Sequence, residues 1–173
     1  MDNILDYFIK EPEREYYVRE LAKLLKKSPT TISKYLNKLE KKGLLKSEKK
    51  FNHLLFKANI ESKKFKDLKL FYNIEKIRES GLIDYLNDKF NYPTIVLFGS
   101  FGKAENSINS DIDILVITPL KNKIDLEKYE ELLKHKIQLF LHSSPELSKM
   151  KNKNLLNNFI NGFVLEGYWE IFK

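Results

Sequence analysis

Val96-Leu97-Phe98-Gly99-Ser100, followed by Asp111-Ile112-Asp113-Ile114, is the stretch on which the fold turns. The apolar run ending in Gly-Ser reads as a strand that delivers the chain into a tight turn. The acid–apolar alternation after it reads as a second strand, and alternation places Asp111 and Asp113 on one face, where a divalent cation can bridge them. Gly99 lets the backbone turn sharply and approach a phosphate, and the Ser100 hydroxyl with the amides after it can hold that phosphate. The plainer alternative is a common Gly-Ser turn and an aspartate that merely caps a strand start. Against it, two adjacent acids without a cation repel, and an apolar strand has little structural use for them.

Outward from this stretch the pattern alternates. Strands are expected over 94–98, 111–118 and 137–141, and helices over 100–105 and 125–135. A further helical stretch begins over 145–150, another covers 155–160, and residues 162–171 hold a turn of helix and a last edge strand. This is a small α/β unit with a mixed sheet. Upstream, residues 62–80 read as a long helix whose apolar arc (Phe65, Leu68, Phe71, Tyr72, Ile74, Ile77) is wide enough for more than one packing partner, so it could join domains, pair two subunits or simply dock on the second domain. Gly81 interrupts it, and a second helix covers 82–86.

The first third has a different grammar. Ile4, Leu5, Phe8 and Ile9 recur at helical spacing within 2–10, and Glu11-Pro12 ends that helix. A second helix covers 17–27 with Val18, Leu21, Ala22, Leu24 and Leu25 as its apolar face. Ser28 then serves as N-cap with Pro29 at the first helical position, and a third helix runs to Lys42 with Ile32, Tyr35, Leu36 and Leu39 inward. Gly43 stops it. Two short strand-like runs, 44–47 and 53–57, flank Glu48-Lys49-Lys50-Phe51-Asn52. The domain division is therefore 1–58, a helical connector over 59–91, and 92–173.

Charge follows the same division. The chain has 173 residues and a net charge of +7, and residues 1–58 hold 14 Lys or Arg against 8 Asp or Glu while 59–173 hold 17 against 16. A basic small domain joined to a near-neutral one points to an anion partner at the N-terminal end, unless the lysines are only surface filler. With 42% hydrophobic residues the chain can bury a core, and with no cysteine it has neither disulfides nor thiolate metal sites. No leader pattern opens it and no apolar run reaches membrane-span length, so a cytoplasmic protein without a membrane partner is expected.

On Val18-Arg19-Glu20-Leu21-Ala22, Thr30-Thr31-Ile32-Ser33-Lys34-Tyr35-Leu36 and Leu39-Glu40-Lys41-Lys42-Gly43-Leu44, residues 1–58 resemble a winged helix-turn-helix domain of the prokaryotic regulator type. The resemblance implies binding to double-stranded DNA, with Thr30, Thr31, Ser33, Lys34 and Asn37 reaching bases and Lys38, Lys41, Lys49 and Lys50 meeting phosphates. The alternatives are a three-helix bundle whose lysines are only a solvated face and a wing fold used for protein contact.

On Gly99-Ser100-Phe101-Gly102-Lys103-Ala104-Glu105 and Ser110-Asp111-Ile112-Asp113-Ile114, residues 92–170 resemble the minimal nucleotidyltransferases of the DNA polymerase beta-like superfamily. The resemblance implies that Gly99 and Ser100 hold a nucleoside triphosphate (ATP first among the candidates), Lys103 adds positive charge, and Asp111 and Asp113 hold Mg²⁺ or Mn²⁺ as the catalytic pair. Active members usually carry a third carboxylate on the third strand. Here Lys136-Ile137-Gln138-Leu139-Phe140-Leu141-His142 has none, and Gln138 stands at the acidic position, which puts two-metal catalysis in doubt. Glu146 could reach in from the next loop or simply complement a helix dipole, and His135 and His142 read as ordinary surface residues. Similar minimal nucleotidyltransferases occur as antitoxins that modify a small helical toxin, so a protein acceptor or toxin partner is one expectation and a homodimer another. The rival reading is a DNA-binding transcription regulator whose degenerate transferase domain senses a nucleotide or serves as a scaffold.

Overall fold

A computed structural model of the chain describes residues 4–50 and 53–170, which divide into two compact units, 1–69 and 70–173. The first two positions of the predicted first helix, Phe51-Asn52 of the stretch read between the two strand-like runs, and the residues from Ile171 on lie outside the described residues.

The first unit holds α1 (Ile4–Lys10), β1 (Tyr16–Tyr17), α2 (Val18–Leu24), α3 (Pro29–Lys41), β2 (Leu45–Lys50) and β3 (His53–Ala58). Its sheet runs β1-β3-β2, antiparallel throughout. β1 was not expected: Tyr17 had been assigned to the second helix, but Tyr16 and Tyr17 pair with Phe56 and Leu55. The fully buried Tyr16 ring meets Phe8 edge-on at 5.1 Å, which ties the short strand to α1. Three further differences concern faces and ends. Leu24 and Tyr35, read as inward, are 49% and 48% exposed. β2 extends through Lys50, so Glu48, Lys49 and Lys50 lie in a strand rather than in the turn. The Ser28 cap is as expected, its hydroxyl accepting from the Thr31 amide at 3.1 Å, with Pro29 at the first helical position.

α4 (Lys63–Glu79) carries the division between the units. Its Phe71, counted in the apolar arc, is 64% exposed. α5 (Leu82–Phe90) is longer than the sequence pattern suggested, and Leu82, Ile83, Leu86 and Phe90 are all buried in the core of the second unit. The second half of the expected connector is therefore part of that unit's core.

The remaining elements are β4 (Thr94–Phe98), α6 (Gly99–Gly102), β5 (Ile112–Ile117), α7 (Glu127–Leu133), β6 (Ile137–His142), α8 (Ser144–Ser148), α9 (Lys153–Ile160) and β7 (Phe163–Glu166). The sheet order is β6-β5-β4-β7, with β5 and β6 parallel and the other pairs antiparallel. Strand alternation sorts two cores. Ile95, Leu97, Ile112, Ile114 and Val116 pack with α5 and with Tyr129 of α7 on one face. Val96, Phe98 and Leu115 pack with Leu147 of α8 and Phe159 of α9 on the other. α6 is shorter than the helix expected over 100–105. The backbone of Ala104 turns into the left-handed region at φ 57°, and a side chain at Gly102 would lie 2.8 Å from the Leu97 carbonyl. α7 likewise stops at Leu133 because Lys134 takes φ 61°.

Candidate functional site

β4 and β5 bring the Gly-Ser turn and the paired acids to the same end of the sheet. Phe98 stands opposite Asp113 in the antiparallel register, and Gly99 follows at φ 66°. That φ favours glycine, and so does the space: a Cβ at Gly99 would sit 2.0 Å from Asp113 Oδ2. The Asp113 carboxylate thus lies directly on the turn read as the phosphate holder. Asp111 immediately precedes β5 at the parity of Asp113, and both are half-buried. Partial burial pushes the Asp113 carboxyl above its ordinary range, with the charge of Asp111 adding to the rise. A cation placed between the two would relieve both causes.

The parallel register of β5 and β6 pairs Asp113 with Gln138, so Gln138 does stand on the acid face of the third strand. Its amide donates to Asp111 Oδ2 at 2.6 Å. Among the described residues no three acids, histidines or cysteines converge as a metal site. Asp111 and Asp113 are thus the two carboxylates here that could hold a divalent cation, and no third acid among the described residues adds charge to balance a second. Glu146 does not fill the gap. It closes a capping box with Ser143 at the start of α8 and pairs with Lys121 at 2.8 Å, which lowers its carboxyl to about 2. His142, half-buried on β6, lies 5.9 Å from the Phe159 ring.

Ser100 sits half-buried on α6, and Lys103 is exposed just past its end. Phe98, Phe140 and Phe159 form an edge-to-face cluster, centroids 4.8 to 5.8 Å apart, on the face that carries Asp113. Two supports were missed from sequence. Asn73 of α4 is buried and donates to the Phe101 carbonyl at 3.1 Å. His135, read as an ordinary surface residue, is half-buried, with Nδ1 2.7 Å from the Ser110 carbonyl and its ring against Phe101. A usable signal existed for His135: extending the parallel β5–β6 pairing by two residues places 135 beside 110.

In the first unit, Thr30, Lys34, Asn37 and Lys41 fall on one stripe of α3, spanning about 60° of helical arc, and all four are exposed. Lys38 is exposed beside them. Ser33 and Thr31 flank the stripe half-buried, the Thr31 hydroxyl bonded to Ser28 at 2.8 Å. Lys49 is exposed on β2, whereas Lys50 is held by Glu15 at 2.7 Å and Glu48 at 3.3 Å. The stripe can present alternating hydroxyl, amide and ammonium groups to a groove, with lysines at its margin for phosphates.

Comparison with protein families gives two matches. Residues 3–47 match the family described as bacterial regulatory protein, arsR family. Residues 80–161 match the family described as polymerase beta, nucleotidyltransferase. No curated protein matches the chain. No helix among the described residues is long and apolar enough to cross a membrane.

Proposed function

We propose that the chain, whose residues 3–47 match the arsR regulatory family and whose residues 80–161 match the polymerase beta nucleotidyltransferase family, transfers a nucleoside monophosphate from a nucleoside triphosphate to an acceptor, with DNA binding by the first domain bringing the activity to a regulatory site. The observation that carries this reading is the seat of the Asp113 carboxylate against Gly99, with Asp111 beside it and space that only a glycine leaves open. The glycine turn and the Ser100 hydroxyl bind and orient the triphosphate, and Lys103 supplies charge at the exposed end of α6. Asp111 and Asp113 would hold Mg²⁺ or Mn²⁺, which when bound would neutralise phosphate charge and polarise the α-phosphate. An acceptor oxygen then bonds to the α-phosphorus as the bond to the β-phosphate oxygen breaks. Pyrophosphate leaves with that electron pair, and the acceptor proton passes to solvent. A protein hydroxyl, on a helical toxin among others, is the acceptor class of this proposal.

A second reading is favoured by Gln138, whose amide occupies an Asp111 oxygen where an acid would bind a second cation. On that reading the site senses a nucleotide and does not turn it over. Gln138→Asp separates the two. A weakened catalyst gains both Mn²⁺ affinity and nucleotidyl transfer from the restored acid, measured with α-labelled ATP. A variant that gains neither supports the sensor.

A further inference from the structure

We propose that His135 is a positioning residue, setting the separation between the two halves of the site: the Gly99-Ser100 turn and the Asp111 end of β5. The proposal rests on reading that site as a metal–nucleotide site. Lys134, in the left-handed region, swings the chain from α7 into β6, and the parallel pairing of Ile112 with Ile137 then brings His135 alongside Ser110. Its Nδ1 lies 2.7 Å from the Ser110 carbonyl, the peptide link that leads into Asp111. Only an Nδ1–H tautomer can donate there, so the bond fixes the ring. The fixed ring meets Phe101 edge-on, 4.9 Å between centroids at 82°, and Phe101 directly follows Ser100. One imidazole therefore touches the residue before the first acid and the residue after the phosphate-holding serine.

The surroundings make this contact consequential. Phe101 is buried and its carbonyl is held from the other side by Asn73 at 3.1 Å. The Ile112 amide bonds to the Lys136 carbonyl at 2.8 Å, so the chain is clamped on both sides of Asp111. Two like charges at Asp111 and Asp113 push apart, and a cation needs both carboxylates already in place to bind tightly. Groups that hold ligands from behind typically change metal affinity about 10–100-fold when removed. His135 is placed to do that through the backbone while touching no reacting atom.

Two substitutions divide the ring contact from the hydrogen bond. His135→Phe keeps an aromatic ring against Phe101 and loses the donor. His135→Asn keeps an N–H donor near the Nδ1 position and loses the ring. Titration of ATP with Mn²⁺ into the full chain is expected to show affinity about 10–100-fold weaker in His135→Phe, and weakened in His135→Asn as well, since each variant cuts one of the two contacts. Unchanged affinity in either variant overturns the proposal. Amide hydrogen exchange of the metal-free protein supplies a readout independent of nucleotide. Faster exchange in 108–112 is expected for His135→Phe, which loses the donor, and in 99–104 for His135→Asn, which loses the ring. If wild type binds no nucleotide, the metal–nucleotide reading fails, and unchanged exchange in His135→Phe then overturns the positioning role separately.

Discussion

Asp113 carries a carboxylate that its surroundings push toward protonation, burial first and Asp111 second. A folded-state pKa above the unfolded value means that this group's contribution to stability is fully present below the unfolded pKa and is lost as pH rises through the folded one. At neutral pH the ionised Asp113 is a liability that a cation removes. Asp113→Asn is therefore expected to melt above wild type at pH 7 without metal, with the gap closing as pH falls through the raised folded pKa and gone below the unfolded value of about 4. Metal–nucleotide at 100 times its Kd should stabilise wild type by about 2.7 kcal/mol and leave the variant unmoved. Thermal unfolding across pH, with and without Mn²⁺ and ATP, checks both. Residues of this kind were legible in the sequence because strand alternation is strict: Asp111, Asp113 and Gln138 share a face as parity required. Asn73 was not, since it bonds a backbone carbonyl 28 residues away and no local spacing encodes such a pair, whereas His135 needed the β5–β6 register, which sets it beside Ser110.

At the scale of the element, α8 shows how a capping signal answers a functional question. Ser143 and Glu146 bond reciprocally across its first turn, and Lys121 pairs with the same carboxylate. This commits Glu146 to the helix end and keeps it from standing in for the missing acid. Its carboxyl is lowered to about 2, so the stability it gives is present above its unfolded pKa of about 4.5 and is lost as pH falls toward 2. Glu146→Gln should thus unfold more easily than wild type at pH 7, with the difference vanishing near pH 2, and chemical denaturation at several pH values measures it. Helix caps and strand ends built on Ser28, Gly43 and Gly99 could be read directly. β1 could not, because two residues are too few for alternation to register and its pairing with β3 is set by distant sequence. The inward assignments of Leu24 and Tyr35 failed for a related reason. Helical spacing finds the apolar stripe but not how far neighbouring elements cover its margins, and Tyr35 instead carries the Lys27 ammonium 5.7 Å above its ring.

At the scale of the whole molecule the two chemistries occupy separate stretches of chain: the basic excess lies in residues 1–58, and the acid pair and glycine turn lie beyond residue 98. Their mutational effects should separate. Replacing Lys38 and Lys41 with alanine is expected to lower the salt dependence of DNA binding by about 1 for each of these phosphate-facing lysines, while nucleotide binding stays as it was. Fluorescence anisotropy over a salt series, alongside nucleotide titration, tests the separation. Lys50→Ala should change the slope less than Lys49→Ala, since two carboxylates already hold its ammonium. The overall order of a winged helix followed by a small mixed sheet was legible because each half has its own periodicity. The boundary was less so, since α5 carries an apolar face that reads equally well as connector or core. The most direct test of the central claim is calorimetric titration of nucleoside triphosphates with Mn²⁺ into the wild-type chain and Asp113→Asn. Metal-dependent binding with one cation per chain, abolished by the substitution, is the predicted result; no binding by wild type, or equal binding by both proteins, would contradict it.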